Sequence, residues 1–355
     1  MNEGIPPLVL PCISAISQAR IGASVAIMTM HPGTRAATIF WLGAVTLLGS
    51  AALPVQAQDY PARPLRFLVG GPPGSGADLV SRMLAPRLSE RLGQPVVVEQ
   101  KTGAGGIIAN EALAKSPPDG YTIALLTGAH PTHAAMRRTL PYDPLQDFAM
   151  AGTVVVYPLV VSVVQGSPVS SFPDLLARAK AAPGKISYAM SPGSLVHLAG
   201  EWINSEAGTT MLAVPYRGSS AALVDALGGR VDVLIETATA AFPQVRTGKI
   251  RPLAVSSTAR HPALPDVPTI AETLPAVEFT SWLGLAAAPG TPRLVVERLN
   301  TELKAILELP DVRQRIADLG GLPAFSSPED MRARVEREIA RWKRLVELKG
   351  IAKQD

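Results

Sequence analysis

Four glycine-rich corners, each set where a short apolar run hands over to a longer amphipathic one, constrain this chain more than any other feature. They read Pro72-Pro73-Gly74-Ser75-Gly76-Ala77-Asp78, Gly103-Ala104-Gly105-Gly106, Ser191-Pro192-Gly193-Ser194 and Tyr216-Arg217-Gly218-Ser219-Ser220. Alternating strands and helices joined by such turns are the pattern of parallel sheets covered by helices, an α/β fold. The strand candidates are residues 65–69, 96–98, 122–126, 159–164, 231–235 and 253–256, each too short for an ordinary helix. At a helix N-terminus the first N–H groups have no partner in the helix, and the dipole there favours a carboxylate or phosphate. No convincing catalytic group stands beside these corners. The pattern suits a chain that holds a small anion rather than one that transforms it.

The helices carry their own signals. Leu79, Met83, Leu84, Leu88 and Leu92 recur at helical spacing, with Asp78 as the expected N-cap, Gly93 as the stop and Pro86 inside. The C-terminal third reads as helical. Thr291-Pro292 is expected to start one helix, with Leu299, Leu303, Ile306 and Leu307 on its buried face. Ser327-Pro328-Glu329-Asp330 starts the last, whose stripe is Met331, Val335, Ile339, Trp342 and Val346. No internal repeat or low-complexity linker occurs, so two lobes would be joined by extended chain crossing between them.

With 355 residues, 47% apolar and 17% charged, the chain is globular and long enough for one large core or two ordinary ones. Its 33 basic and 29 acidic side chains form no like-charge block, which argues against a nucleic-acid partner. Arg35, the apolar run at 36–48 and the Val55-Gln56-Ala57 site read as an export signal cleaved after Ala57, the run being too short for a membrane anchor. Residues upstream of Met28 read as an extension. Cys12 would leave with that segment, so the mature chain is expected to have no thiol chemistry, disulfide, lipid anchor or cysteine zinc site. Losing Glu3, Arg20 and Arg35 as well lowers the net charge from +4 to +3.

Enzyme motifs fail at identifiable positions. Gly71 to Gly76 opens like a P-loop, yet Ala77 and Asp78 stand where lysine and a hydroxyl must grip phosphate and magnesium. Leu79 replaces the third glycine of a dinucleotide fingerprint. Ser75 lacks the glycines two residues away on each side that a nucleophile elbow requires. His130 and His133 lack a third ligand and the glutamate of the familiar zinc helices, so neither a metal nor another cofactor is expected. Pro117-Pro118-Asp119-Gly120-Tyr121 is a turn by its chemistry. Arg217 reads two ways: as a salt-bridge partner for a ligand carboxylate, or as a partner of Asp225 or Glu236 within the protein.

Six segments in order resemble one family. They are Pro73-Gly74-Ser75-Gly76-Ala77-Asp78, Thr102-Gly103-Ala104-Gly105-Gly106, Pro117-Pro118-Asp119-Gly120-Tyr121, Val214-Pro215-Tyr216-Arg217-Gly218-Ser219, Leu227-Gly228-Gly229-Arg230-Val231-Asp232-Val233 and Leu264-Pro265-Asp266-Val267-Pro268-Thr269. The family is the extracytoplasmic solute receptors of tripartite tricarboxylate transporters, the Bug proteins. The resemblance implies a type II periplasmic binding protein fold, two open α/β lobes with a ligand cleft between them. It places lobe 1 at residues 58–160 and 283–355 and lobe 2 at 161–282. It implies a periplasmic, monomeric receptor that passes a small organic carboxylate to membrane transporter subunits, the ligand being met by backbone amides rather than by an arginine clamp.

The expected ligand contacts are Gly74, Ser75, Gly76, Ala77 and Asp78 from the first lobe and Ser191, Gly193, Ser194, Tyr216, Arg217, Gly218 and Ser219 from the second. Thr127, Glu236 and Thr237, together with Ser194, are the polar side chains expected to choose among acids, and His197 is expected as a neutral imidazole donor near a carboxylate. The sequence departs from the family's usual wording at Ser75, Gln100, Thr102 and Ala213. The loop from Ser191 to His197 is one residue short, with apolar Leu195 and Val196, which points to a partly apolar ligand. The rival readings are an exported hydrolase using Ser75 or Ser194 with His197, and a ligand sensor for a signalling partner.

Overall fold

The computed structural model describes residues 60–355 apart from 217 and 218, and the side chain of Ser219 also lies outside the description. The expected export signal and its cleavage site therefore lie outside the described residues. In chain order the elements are β1 (Leu65–Val69), α1 (Gly76–Leu92), β2 (Val96–Gln100), α2 (Ile107–Ala114), β3 (Thr122–Thr127), α3 (Ala129–Met136) and β4 (Ala149–Val164). Then come α4 (Phe172–Ala181), β5 (Ser187–Met190), α5 (Leu195–Ala207), β6 (Leu212–Pro215), α6 (Ser219–Leu227), β7 (Val233–Thr237), α7 (Ala238–Arg246) and β8 (Ile250–Val255). The chain finishes with β9 (Thr280–Ala287), α8 (Arg293–Leu307), α9 (Pro310–Asp318), β10 (Leu322–Pro323) and α10 (Pro328–Lys349).

The strands line up as β2-β1-β3-β9-β4-β7-β5-β6, with β8 and β10 as further partners of β4. β1 pairs in parallel with β2 and β3, and β5 pairs in parallel with β6 and β7, so each end of the array is a small parallel sheet. The antiparallel strands β9 and β4 lie between them. β4 changes partners midway: its first part pairs with β9 as far as Pro158, and from Leu159 it pairs with β7 and from Val160 also with β8. The expected strand at 159–164 is thus the second part of a strand of 16 residues. Strands buried on both faces read as unbroken apolar runs, which is why Val154 to Val164 is almost wholly apolar.

Both halves are three-layered. In the first, Leu65, Phe67 and Val69 face Val80, Leu84 and Leu88 of α1 and Leu299, Leu303 and Ile306 of α8. On the other face Leu68, Leu126 and Trp282 meet Leu113 of α2 and Met331, Val335 and Ile339 of α10. In the second half, Val161 and Val233 pack with Phe172 and Leu175 of α4, Leu198 and Ile203 of α5, and Trp342 and Val346 of α10. Val160 and Leu234 cover the opposite face with Ala222 of α6 and Ala241 of α7. The final helix, begun by Ser327 as its sequence predicts, therefore contributes to the cores of both halves.

Two helix starts differ from expectation. Ser75, not Asp78, is the N-cap of α1: its backbone is extended, and its Oγ accepts the Asp78 N–H at 3.3 Å. Thr291 spends its hydroxyl on the Ala288 carbonyl at 2.7 Å, so Pro292 is the N-cap and α8 begins at Arg293. The C-terminal third also holds strand β9, which crosses the sheet between β3 and β4.

Candidate functional site

The C-terminal ends of β1, β2, β3 and β7 open on one cavity of about 990 Å³, the position where open α/β sheets hold ligands. From the first half it is lined by the β1–α1 corner, residues 70–77, and by Thr102, Gly103, Gly105 and Gly106 of the β2–α2 corner. Thr127, at the end of β3, and Leu125 join them. Ser281 and Leu283 of β9 and Tyr157 of β4 come from the central strands. The second half gives Ser220, Thr237, Thr239 and Ala240. Among the described residues that line it, none is charged.

The first corner is built by its own side chains. Gly74 takes a φ of +80°, and its N–H donates to Asp78 Oδ2 at 2.8 Å. Ser75 N–H donates to the Pro72 carbonyl at 3.0 Å, and the Asp78 N–H is capped by Ser75 Oγ. That leaves the N–H groups of Gly76 and Ala77, in the first turn of a helix of 17 residues, with no acceptor among the described residues. Asp78 is a positioning group. The residue is 3% exposed, its carboxylate also accepts from Arg82 Nε at 2.8 Å and from Gln100 Nε2, and it does not line the cavity.

The β2–α2 corner was expected as a turn but not among the ligand contacts. Four residues in a row, Gly103 to Gly106, have left-handed φ values of +136°, +46°, +68° and +103°. Ala104 is the only non-glycine residue with positive φ among those described. Against this turn lies His133, whose Nε2 would stand 2.9 Å from a Cβ on Gly105. Burial lowers the His133 imidazole to about 4, and burial likewise lowers His130 to about 4 despite the Pro144 carbonyl beside it. His130 stacks on Tyr142 and shares the side-chain amide of Asn110 with it. Among the described residues no group of three or more His, Cys, Asp or Glu side chains is placed to hold a metal ion.

The second half's expected contacts divide. Thr237 faces the cavity, and its hydroxyl makes no capping bond to α7. Ser191, Tyr216 and Glu236 line a separate narrow pocket of about 40 Å³. Ser191 Oγ donates to the Tyr216 carbonyl at 3.0 Å, and the Tyr216 hydroxyl donates to Asp225 at 3.0 Å. Gly193 and Ser194 are not among the cavity's lining residues: Gly193 is buried against the side chain of Gln354, and Ser194 caps α5. His197 Nδ1 accepts the Gly193 N–H at 3.4 Å, and Ser194 Oγ accepts the His197 N–H at 3.3 Å, so neither forms a nucleophile and base pair with the other. Arg217, Gly218 and the Ser219 side chain lie outside the described residues.

Residues 80–351 match the family model described as tripartite tricarboxylate transporter family receptor. The chain belongs to that family. Protein BugT of Bordetella pertussis is 35% identical over 313 residues, 87% of this chain and 96% of BugT. Among solved structures, R. palustris Rpa4515 with adipate is 38% identical with a TM-score of 0.74, over 83% of this chain and all of that one. MatC (Rpa3494) of Rhodopseudomonas palustris with bound malate is 28% identical with a TM-score of 0.69, over 81% of this chain and all of that one. The receptor thus has the mixed α/β fold of periplasmic solute-binding proteins, and no helix of its described residues is long and apolar enough to cross a membrane.

Asn110, Tyr157, Thr239, Ala240, Ser281 and Leu283 are cavity residues that sequence reasoning did not single out, while the β2–α2 turn was singled out as a corner but not as a ligand contact. The run of glycines signalled the turn. Tyr157 stands out only as an aromatic residue in a strand otherwise of small and aliphatic residues.

Proposed function

We propose that this receptor captures a small organic carboxylate in the 990 Å³ cavity and delivers it to membrane subunits of a tripartite tricarboxylate-type transporter, without chemical change to the ligand. The supporting observation is a cavity with no charged lining among the described residues, beside two first-turn amides that have no protein acceptor there. A hydrogen bond to a charged group contributes about 1.5 to 3 kcal/mol net, so four give roughly 6 to 12 kcal/mol before ordering costs. Micromolar affinity needs about 8 kcal/mol. Amides of Gly76 and Ala77 with hydroxyls such as Ser75, Thr127 and Thr237 therefore suffice without a salt bridge. Relatives with adipate and malate bound support an acid as the ligand class.

In this reading residues 58–160 with 283–355 form one lobe and 161–282 the other, and the lobes close over the ligand. Residues 1–57 are the export signal with its upstream extension, and the mature protein is a periplasmic monomer. Calorimetric titration with straight-chain diacids, aromatic acids and amino acids tests the function. At least one acid is expected to bind near micromolar; a panel in which none binds overturns the reading.

A further inference from the structure

A second cavity, of about 220 Å³, adjoins the ligand cavity in the second half of the molecule. Ser220 and Ala240 line both, so the two meet where α6 and α7 begin. From that mouth the smaller one runs between the two helices and over β7, with Leu223, Leu234, Ala241 and Ile250 as its apolar walls and Glu236 and Gln244 as its polar edge. Its origin is visible in the packing. Of the buried side chains that α6 and α7 turn towards this face of the sheet, all but Phe242 are alanine, whereas α1, α4 and α8 fill their faces with residues such as Leu84, Phe172 and Leu299. Protein interiors pack as densely as organic crystals, and an apolar gap left empty costs stability. An apolar cavity of about 150 Å³ holds a benzene ring. The gap beside Leu223 therefore has room for a phenyl group or a short alkyl chain.

We propose that this gap is a side pocket of the receptor's site, taking an uncharged alkyl or aryl arm of the ligand while the acid group stays in the main cavity. The proposal rests on the receptor reading and deepens it: the ligand is an acid with one apolar arm, which leaves the main cavity between Ser220 and Ala240. Continuity of the two cavities carries the assignment. The described lining of the side pocket holds no cation to pair with a second carboxylate, so the arm is uncharged.

The test is calorimetric titration of straight-chain monoacids from propionate to decanoate, and of phenylacetate, phenylpropionate and phenylbutyrate, with the wild type and with Leu223→Trp and Leu223→Ala. Leu223 lines the side pocket and not the main cavity. Wild-type affinity should rise about fourfold for each methylene that enters the pocket and level off once it is full. Leu223→Trp fills the pocket, so the acids with the longest arms should lose at least about tenfold and the shortest less than about twofold. Leu223→Ala enlarges it and should move the preferred arm to a longer one. Gln244→Trp, at the half-buried polar edge, fills the same space and keeps the test open if Leu223→Trp does not fold. Wild-type affinity that stays flat or falls as the arm lengthens, or variants that shift every acid alike, would overturn the side pocket and leave the receptor standing. A wild type that binds some other acid but none of these also overturns the side pocket; one that binds no acid at all overturns the receptor reading itself.

Discussion

The β1–α1 and β5–α5 corners are near copies that end in different roles. Both read Pro-Gly-Ser, at Pro73-Gly74-Ser75 and Pro192-Gly193-Ser194. Both glycines have left-handed φ, +80° and +72°, and both serines cap the helix that follows. In each, the glycine N–H is taken by the side chain four residues on, Asp78 in one and His197 in the other. The difference lies outside the turn. Gly76 and Ala77 leave the first helix end open to the cavity, whereas Leu195 and Val196 pack into the second core and Gln354 covers Gly193. Local loop geometry makes amides available; the bulk of the next two side chains decides whether a ligand can reach them.

The comparison can be broken most forcefully at the side chains that hold the two turns. Asp78→Ala leaves the Gly74 N–H and the Gln100 amide without their acceptor, and should cost about 3 kcal/mol and most of the ligand affinity. His197→Ala, at the matching position, should cost about 1 kcal/mol and change affinity little. Chemical denaturation and calorimetry on both variants check this; equal effects on binding would mean that both corners serve the ligand.

Acid should weigh most on the first half, since burial lowers His197 and His261 of the second half as well but by less. His130 is held near 4 in the folded state, below the unfolded value of about 6.5, so the unfolded chain binds the extra proton. Its contribution of about 3 kcal/mol is fully present above pH 6.5 and is lost as the pH falls from 6.5 towards 4. His133 shifts in the same sense beneath the Gly105 turn. Hydrogen exchange at pH 5 is expected to quicken in α2 and α3 before α4.

Smaller effects sharpen the point. Gly76→Pro suits the first helical position, since Ser75 before it is extended, and removes only the N–H. It should lower affinity at least tenfold, about 1.4 kcal/mol, with Tm unchanged, while Gly76→Ala should bind within a few-fold of wild type. Ser75→Ala and Ser194→Ala each lose a cap worth about 1 kcal/mol, so their melting shifts should match. Only Ser75→Ala is expected to weaken the ligand.

Much of this was legible beforehand for physical reasons. β1 matches its expected span residue for residue because Pro64 and Gly70 bound an apolar run, and α10 starts where Ser-Pro-Glu-Asp predicts. β9 was hidden, since Gly284 and its small residues resemble neither an alternating strand nor an aliphatic run, although its own Trp282 is fully buried and it pairs with both β3 and β4. The Asp78 reading failed because aspartate suits both the cap and the third helical position, and only Ser75's extended backbone separates them. Gly193, expected among the second half's contacts, lies away from the cavity for a longer-range reason: no local pattern reveals that Gln354 returns to cover it.

The last helix carries a consequence for engineering. Met331, Val335 and Ile339 serve one core, and Trp342, Leu345 and Val346 the other. Chimeras that graft one lobe from a sister receptor to swap ligand preference would sever that shared spine if spliced only near the crossing strands. A workable junction must also carry the donor's matching turns of α10, so that each lobe keeps the tryptophan or methionine it was built around.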